Sequence, residues 1–326
     1  MPIVTMRSAV LAGLAMLVVA MFPTGTRADI SSELKAADKA LEAGDYDTAF
    51  REYSRAAEER ENPLAQFTLA LFHQFGWGRA INMVKACQWH ERAAQASIPV
   101  AQHELGKCFE RGIHRPADPA QAAEWYDKAG GMGHFLSFCY LAKLYMTGTG
   151  VPKDPGKGLE LCRRAAERNS AAAQTMMGSL LLQGDESVRD YQAALSWFDL
   201  AAQQNDPQAQ YYLGVMIRDG LGTAGDAVVA RYYFESAAAQ GFRDAYYPTA
   251  KAYFETFAGT GSDGSGEEAL AKAYMWLTTA EKRTRDATEA ASAAEMLKKV
   301  RAVMPPSWAA DLDEKVARHL AEHPEN

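Results

Sequence analysis

AQHELGKCFERGIHRPADPAQAAEWYDKAG, residues 101–130, is the stretch that decides the fold. Ala101, Leu105 and Phe109 recur every four residues, the spacing of one helix face. The run stops at Gly112, where glycine supplies the left-handed residue that ends a helix. Turn residues follow, and then a second helical run carries Trp125 and ends at Ala129-Gly130. Working outward, Gly112 belongs to a ladder of Gly76, Gly112, Gly148, Gly184 and Gly220, each 36 residues from the next. A fixed period of roughly 20–50 residues marks an array of identical supersecondary units.

Other positions keep the same register. Eleven residues before the glycines stand Ala65, Ala101, Ser137, Ala173 and Ala209. Seven before stand Leu69, Leu105, Leu141, Met177 and Leu213, and six before only small residues: Ala70, Gly106, Ala142, Gly178 and Gly214. Thirteen after stand Trp89, Trp125, Leu161, Trp197 and Tyr233. Small pairs such as Ala93-Ala94 and Ala237-Ala238 close each unit. Small residues let helices approach, and the large aromatics are expected to fill the gaps. One such hairpin cannot bury its apolar face alone, so the hairpins must stack. The pattern predicts an all-α fold, a right-handed α/α solenoid of about seven helix-turn-helix hairpins with C-terminal capping helices.

The edges leave the register. Residues 29–62 read as a hairpin with a short turn at Gly44-Asp45, and residues 63–283 as the repeat array. At 245–281 Thr256 replaces the register glycine, and GTGSDGSG (259–266) lengthens the next loop, so that Trp276 follows Tyr233 by 43 residues. Residues 284–326 read as capping helices and a tail. Residues 1–28 read as a cleaved signal peptide: Arg7, an apolar run from Ala9 to Phe22, and Thr26 and Ala28 before the cut. The run falls short of the roughly 20 residues a membrane span needs. The expectation is therefore a periplasmic or secreted monomer without stable membrane insertion. Loss of Arg7 and Arg27 with the leader takes the net charge from −7 to −9. An acidic chain without a basic stripe argues against nucleic acid.

Two readings of Cys87, Cys108, Cys139 and Cys162 stand. The hairpin geometry puts Cys87 level with Cys108 and Cys139 level with Cys162, as two disulfides would require; alternatively all four are buried thiols. No catalytic, cofactor or metal residues are expected. Gly148-Thr-Gly150 and Gly220-Leu-Gly222 follow helices and lack the Lys-Ser/Thr of a phosphate loop. The seven histidines show no ligand spacing, and His90, aligned with Tyr126 and Phe198, reads as a core residue.

What remains is surface. The positions two and three after each register alanine vary most: Phe67, His103, Cys139, Thr175, Tyr211 and Tyr247, then Thr68, Glu104, Tyr140, Met176, Tyr212 and Pro248. Tyr140, Tyr211, Tyr212 and Tyr247, with Tyr246 beside them, are candidates for a protein-binding patch. The competing reading is that they pack between hairpins.

Residues 101–130, with the loop TGTGVPKD (147–154) and the run KAYMWLTTAEKR (272–283), resemble the Sel-1-like repeat, an α/α hairpin related to the tetratricopeptide repeat. Residues 29–62 look closer to the tetratricopeptide hairpin itself. Departures fall in the loops, at Trp77-Gly78-Arg79 and at Asp185-Glu186. The resemblance implies an exported adaptor or regulator without catalysis, acting on another protein such as a sensor kinase or polysaccharide machinery. Cysteine-rich members imply an alternative, binding or hydrolysis of cell-wall fragments. Their cysteine positions correspond to Ala94 and Gln102 here, which weakens it. Secretion to bind a host protein is a third reading.

Overall fold

Residues 33–259 and 265–324 are described by a computed structural model, and among them every regular element is helical. The proposed leader lies outside the described residues, as do most of the 259–266 loop and the last two residues. The helices group into two compact units that divide at Ala165 and Ala166. The first holds α1 (Lys35–Glu42), α2 (Tyr46–Glu59), α3 (Pro63–Phe75), α4 (Met83–Gln95), α5 (Pro99–Arg111), α6 (Pro119–Gly131), α7 (Leu136–Thr147) and α8 (Pro155–Ala166), which ends at the division. The second holds α9 (Ala171–Gln183), α10 (Tyr191–Ala202), α11 (Pro207–Arg218), α12 (Ala227–Ala239), α13 (Tyr246–Gly259), α14 (Ser265–Arg283), α15 (Ala287–Val303) and α16 (Ala309–Glu322).

Each register class has a packing role. The alanines at 65, 101, 173, 209 and 245, and Ser137, are 0 % exposed. Where the small residue six before the loop glycine is itself glycine, at 106, 178 and 214, it receives a ring from the hairpin's second helix. A Cβ on Gly106 would lie 2.6 Å from the Tyr126 ring, and one on Gly214 would lie 2.6 Å from Phe234. The ring comes from the position after the one expected. His90, Tyr126, Phe198 and Phe234 are buried, whereas Trp89, Trp125, Trp197 and Tyr233 are half-buried. Successive helix residues point about 100° apart, so only one of two neighbours can enter the gap. Two of the tryptophans lie under cations instead: Arg92 is 4.6 Å over Trp89 and Lys128 is 4.3 Å over Trp125.

The loop ladder also has an exception. Gly76, Gly112, Gly148 and Gly220 are left-handed, with φ from 64° to 75°. Gly184, expected to match them, is extended at φ −61°, ψ 164°. Its loop, GDESVRD, closes by other bonds. The Asp185 carbonyl accepts from the Val188 and Arg189 amides at 3.1 and 3.0 Å. The Arg189 guanidinium donates to the Gly184 carbonyl at 3.1 and 2.9 Å.

What all five loops share is a second ladder, Asn82, Asp118, Asp154, Asp190 and Asp226. Each side chain caps the second helix, accepting from backbone amides in its first turn at 2.9–3.0 Å. Each backbone amide also donates to a first-helix carbonyl, of His73, Phe109, Tyr145, Leu181 and Ile217 respectively, at 2.8–3.3 Å. This clamp holds the second helix at a constant height even where the glycine turn is lost. At Thr256 the lost glycine has the simpler result that α13 runs on to Gly259, with the threonine hydroxyl donating to the Ala252 carbonyl at 2.8 Å.

In the second unit α15 and α16 pack on α14, burying Leu297, Val300 and Leu312. Polar ties fix them there: Tyr274 donates to Asp313 at 2.8 Å and Arg283 to the Leu320 carbonyl at 3.1 Å.

Candidate functional site

The two variable rows differ in burial over most of their length. Two residues after the register alanine, Phe67, His103, Cys139 and Thr175 are buried, and Tyr211 and Tyr247 are half-buried. At its first four members this row is core, as the reading that these side chains pack between hairpins has it, and Tyr211 and Tyr247 are partly solvated. Three residues after, Thr68, Glu104, Tyr140, Met176, Tyr212 and Pro248 are all half-buried. That row is a partly solvated face of the first helices, and its side chains differ from unit to unit.

The tyrosines divide between the two roles. Tyr140, in the first unit, sits edge-on to His103 with ring centroids 4.6 Å apart. Tyr211, in the second, packs among Tyr212, Phe234 and Phe242. Tyr212 stacks on Phe198 at 5.0 Å, and its hydroxyl accepts from Gln183 at 3.4 Å. Tyr247 lies half-buried against the terminal core, while Tyr246, grouped with it from sequence, is 3 % exposed and belongs to that core.

The cysteines are bonded Cys87 to Cys108 and Cys139 to Cys162. The first bridge joins α4 to α5 and so links two hairpins. The second joins α7 to α8 within one hairpin.

The first unit also contains a polar cluster that sequence reasoning missed. The Ser137 hydroxyl lies 2.9 Å from His103 Nδ1 and 2.8 Å from His134 Nδ1. A hydroxyl has one proton, so it donates to one ring and accepts from the other. Burial holds all of these imidazoles neutral: it pushes His103 down to about 2, His134 to about 4 and His90 to about 3. His90 Nε2 lies 3.0 Å from the Gln74 side-chain oxygen. The available signal was Ser137 itself, a polar residue in a register otherwise held by alanine. The Ser-His contact has the ingredients of a nucleophile and base, but Ser137 is 0 % exposed, so no substrate reaches it.

A second missed grouping lies beside the Cys87–Cys108 bridge. Both sulfurs and a ring nitrogen of His114 fall within 4.8 Å of one another. The His114 side chain is 2 % exposed, and its Nε2 lies 3.5 Å from Glu91, which Arg115 holds at 2.6 Å. Burial, and then Arg115, push the His114 imidazole below its ordinary value, against an opposing pull from Glu91. No regular spacing signals this group: Cys87 lies on α4, Cys108 on α5 and His114 in the following loop.

Comparison with known proteins fits this geometry. A family model described as the Sel1 repeat matches residues 63–97, 99–134, 139–170, 171–206 and 207–242. The crystal structure of a Sel1 repeat protein from Oxalobacter formigenes is similar, with TM-score 0.63 and 26% identity, over 77% of this chain and 100% of that one. So is that of a protective antigen of uropathogenic Escherichia coli displaying an SLR fold, with TM-score 0.63 and 24% identity over 84% of this chain. This chain covers 56% of the antigen's length. No curated protein matches the sequence. With more than half of its residues matched by the family model, the chain belongs to the Sel1 repeat family.

Proposed function

We infer that the chain is a non-catalytic interaction protein that binds a protein partner through the half-buried row of its first helices. The observation that carries this reading is the contrast between rows. The register alanines are 0 % exposed and nearly invariant, while Thr68, Glu104, Tyr140, Met176, Tyr212 and Pro248 are partly solvated and all different. A repeat leaves identity free where packing does not dictate it, and those are the positions available to a partner. The absence of catalysis is supported by the burial of Ser137, the described serine with histidine partners.

Export to the bacterial envelope is part of the proposal. It rests on the leader-like run Ala9–Phe22 and on two disulfides, which persist in oxidising compartments. Among the described residues no helix is long and apolar enough to cross a membrane. Within the envelope the reading is an adaptor for a sensor kinase or for polysaccharide machinery.

The test is site-specific photocrosslinking of the full chain in producing cells, followed by fractionation. Probes at Met176 and Tyr212, both in the second unit, should give the same discrete adduct, recovered with the processed chain from the periplasm or medium. Probes at Glu124 and Gln192, exposed on second helices, should give none. Equal adducts from both sets, or none from the first, refute the surface assignment. An unprocessed chain in the cytosol refutes export.

A further inference from the structure

His114 is the least explained residue of the first unit. It takes the place that Gly78, Gly150 and Gly222 hold in other loops, all left-handed with φ from 65° to 72°. Nδ1 has no hydrogen-bond partner and Nε2 has only the Glu91 carboxylate at 3.5 Å, although both are shielded from solvent. Burying a polar nitrogen without a partner is costly. The repeat therefore gives up a loop glycine for an imidazole whose Nδ1 is buried without a partner, at the one place where that imidazole meets a cysteine pair. Among the described residues this is the only group of three or more possible metal-ligating side chains so gathered.

We propose that reduction of the Cys87–Cys108 bridge converts it, with His114, into a zinc-binding site. Two thiolates and an imidazole are the donor set of zinc, and hard cations such as calcium and magnesium prefer oxygen. A Zn–S bond of about 2.3 Å in tetrahedral geometry separates two sulfurs by roughly 3.8 Å. The cysteine Cα atoms stand 5.9 Å apart, which leaves room for the sulfurs to part without moving the helices. His114 supplies the third donor, and Glu91, 3.5 Å from its Nε2, offers an oxygen on that side of the ring. The balance is closed by a dithiol reductant. It gives two electrons and two protons to the bridge and leaves as its own cyclic disulfide. The two cysteine thiols then lose two protons as Zn²⁺ binds, and neutral imidazole contributes its lone pair.

The Cys139–Cys162 bridge has no such histidine, so it serves as an internal control. The full chain is reduced with dithiothreitol, desalted without oxygen and titrated with Co²⁺ as a spectroscopic probe for zinc. The expected result is one Co²⁺ per chain, with a thiolate-to-cobalt charge-transfer band and tetrahedral visible bands, displaced by one equivalent of Zn²⁺. The oxidised chain should show no band. Cys139→Ser/Cys162→Ser should keep the reduced-state band. His114→Gly, which restores the residue of the other loops, should keep the helical circular dichroism and weaken Co²⁺ binding about tenfold or more. If the reduced chain loses helix, Zn²⁺ should restore it in the parent and not in His114→Gly. The proposal is overturned by a reduced chain with no cobalt band and no zinc-restored helix, by a band unchanged in His114→Gly, or by a band that needs Cys139 and Cys162.

Discussion

Alanine at Gly220 and alanine at Gly184 should have opposite effects, although both residues stand on one sequence ladder and in one unit. Gly220 sits at φ 67°, and a Cβ there would make only ordinary van der Waals contact, its nearest neighbour being the Thr223 carbonyl at 3.6 Å. The penalty is therefore conformational alone, about 1–2 kcal/mol for an L-residue in the left-handed region. Gly184 sits at φ −61°, ψ 164°, which any residue adopts. There alanine removes freedom from the unfolded chain and should stabilise by about 0.4–1 kcal/mol. The two variants should differ by about 2 kcal/mol. For a unit of this size each kcal/mol moves the melting temperature by about 2–4 °C, so their midpoints should stand about 4–8 °C apart. Gly220→Asn, whose side chain tolerates the left-handed region, should fall between them. Thermal unfolding followed by circular dichroism, with urea midpoints at constant slope, measures all three. Equal destabilisation by both alanines would show that the ladder marks one loop conformation throughout and that the extended Gly184 turn is wrong.

Three further outcomes are expected. Ser97 holds φ 65° at a turn position where Gly133 and Gly241 stand in other units, so Ser97→Gly should raise the first unit's stability by about 1 kcal/mol in urea titration, and a loss would contradict the strained turn. Gly106→Ala should destabilise by about 1–3 kcal/mol because its Cβ would meet the Tyr126 ring at 2.6 Å, and in a double-mutant cycle Tyr126→Leu should recover part of that loss; strict additivity would deny the contact. His90, His103 and His134 are held near 3, 2 and 4, below the ordinary 6.5, so their contribution is complete above about pH 6.5 and is lost as pH falls toward those values, because the unfolded chain takes up protons that the folded one refuses. Each can remove up to about 1.4 kcal/mol per pH unit; urea midpoints from pH 7 to 4.5 should therefore fall, less steeply in His103→Phe, which installs the residue found at Phe67, and an unchanged slope would refute the assignment.

The 36-residue ladder was legible because alanine, glycine and the small pairs do the same packing job in every hairpin. The ring was misplaced by one residue because tryptophan catches the eye at 89, 125 and 197, while the true filler changes identity among His90, Tyr126, Phe198 and Phe234. The Gly184 loop was not legible, since its closure depends on Arg189 reaching back to a backbone carbonyl. The aspartate ladder could have been found by the same comparison that found the glycines, and it is the more regular of the two. The candidate surface was half legible. Variation marked two rows, but only the helical phase, fixed by packing against neighbouring hairpins, tells core from face.

The two bridges do different work, and the register explains why. Cys162 occupies the ring position that His90, Tyr126, Phe198 and Phe234 hold elsewhere. Its second helix supplies no ring at that position, and the Cys139 and Cys162 Cα atoms stand only 4.2 Å apart. Gly158 permits that approach, since a Cβ there would lie 2.9 Å from the Ala142 carbonyl. The hairpin has closed around the missing ring, and its bridge substitutes for packing. The Cys87–Cys108 bridge lies between hairpins that keep their rings, His90 and Tyr126, so their cores are filled without it. A link that packing does not require is free to be opened, and it is this one that His114 adjoins. Chemistry in a repeat array should be sought where a unit departs from its register without a packing reason, and Cys87, Cys108 and His114 are such a place.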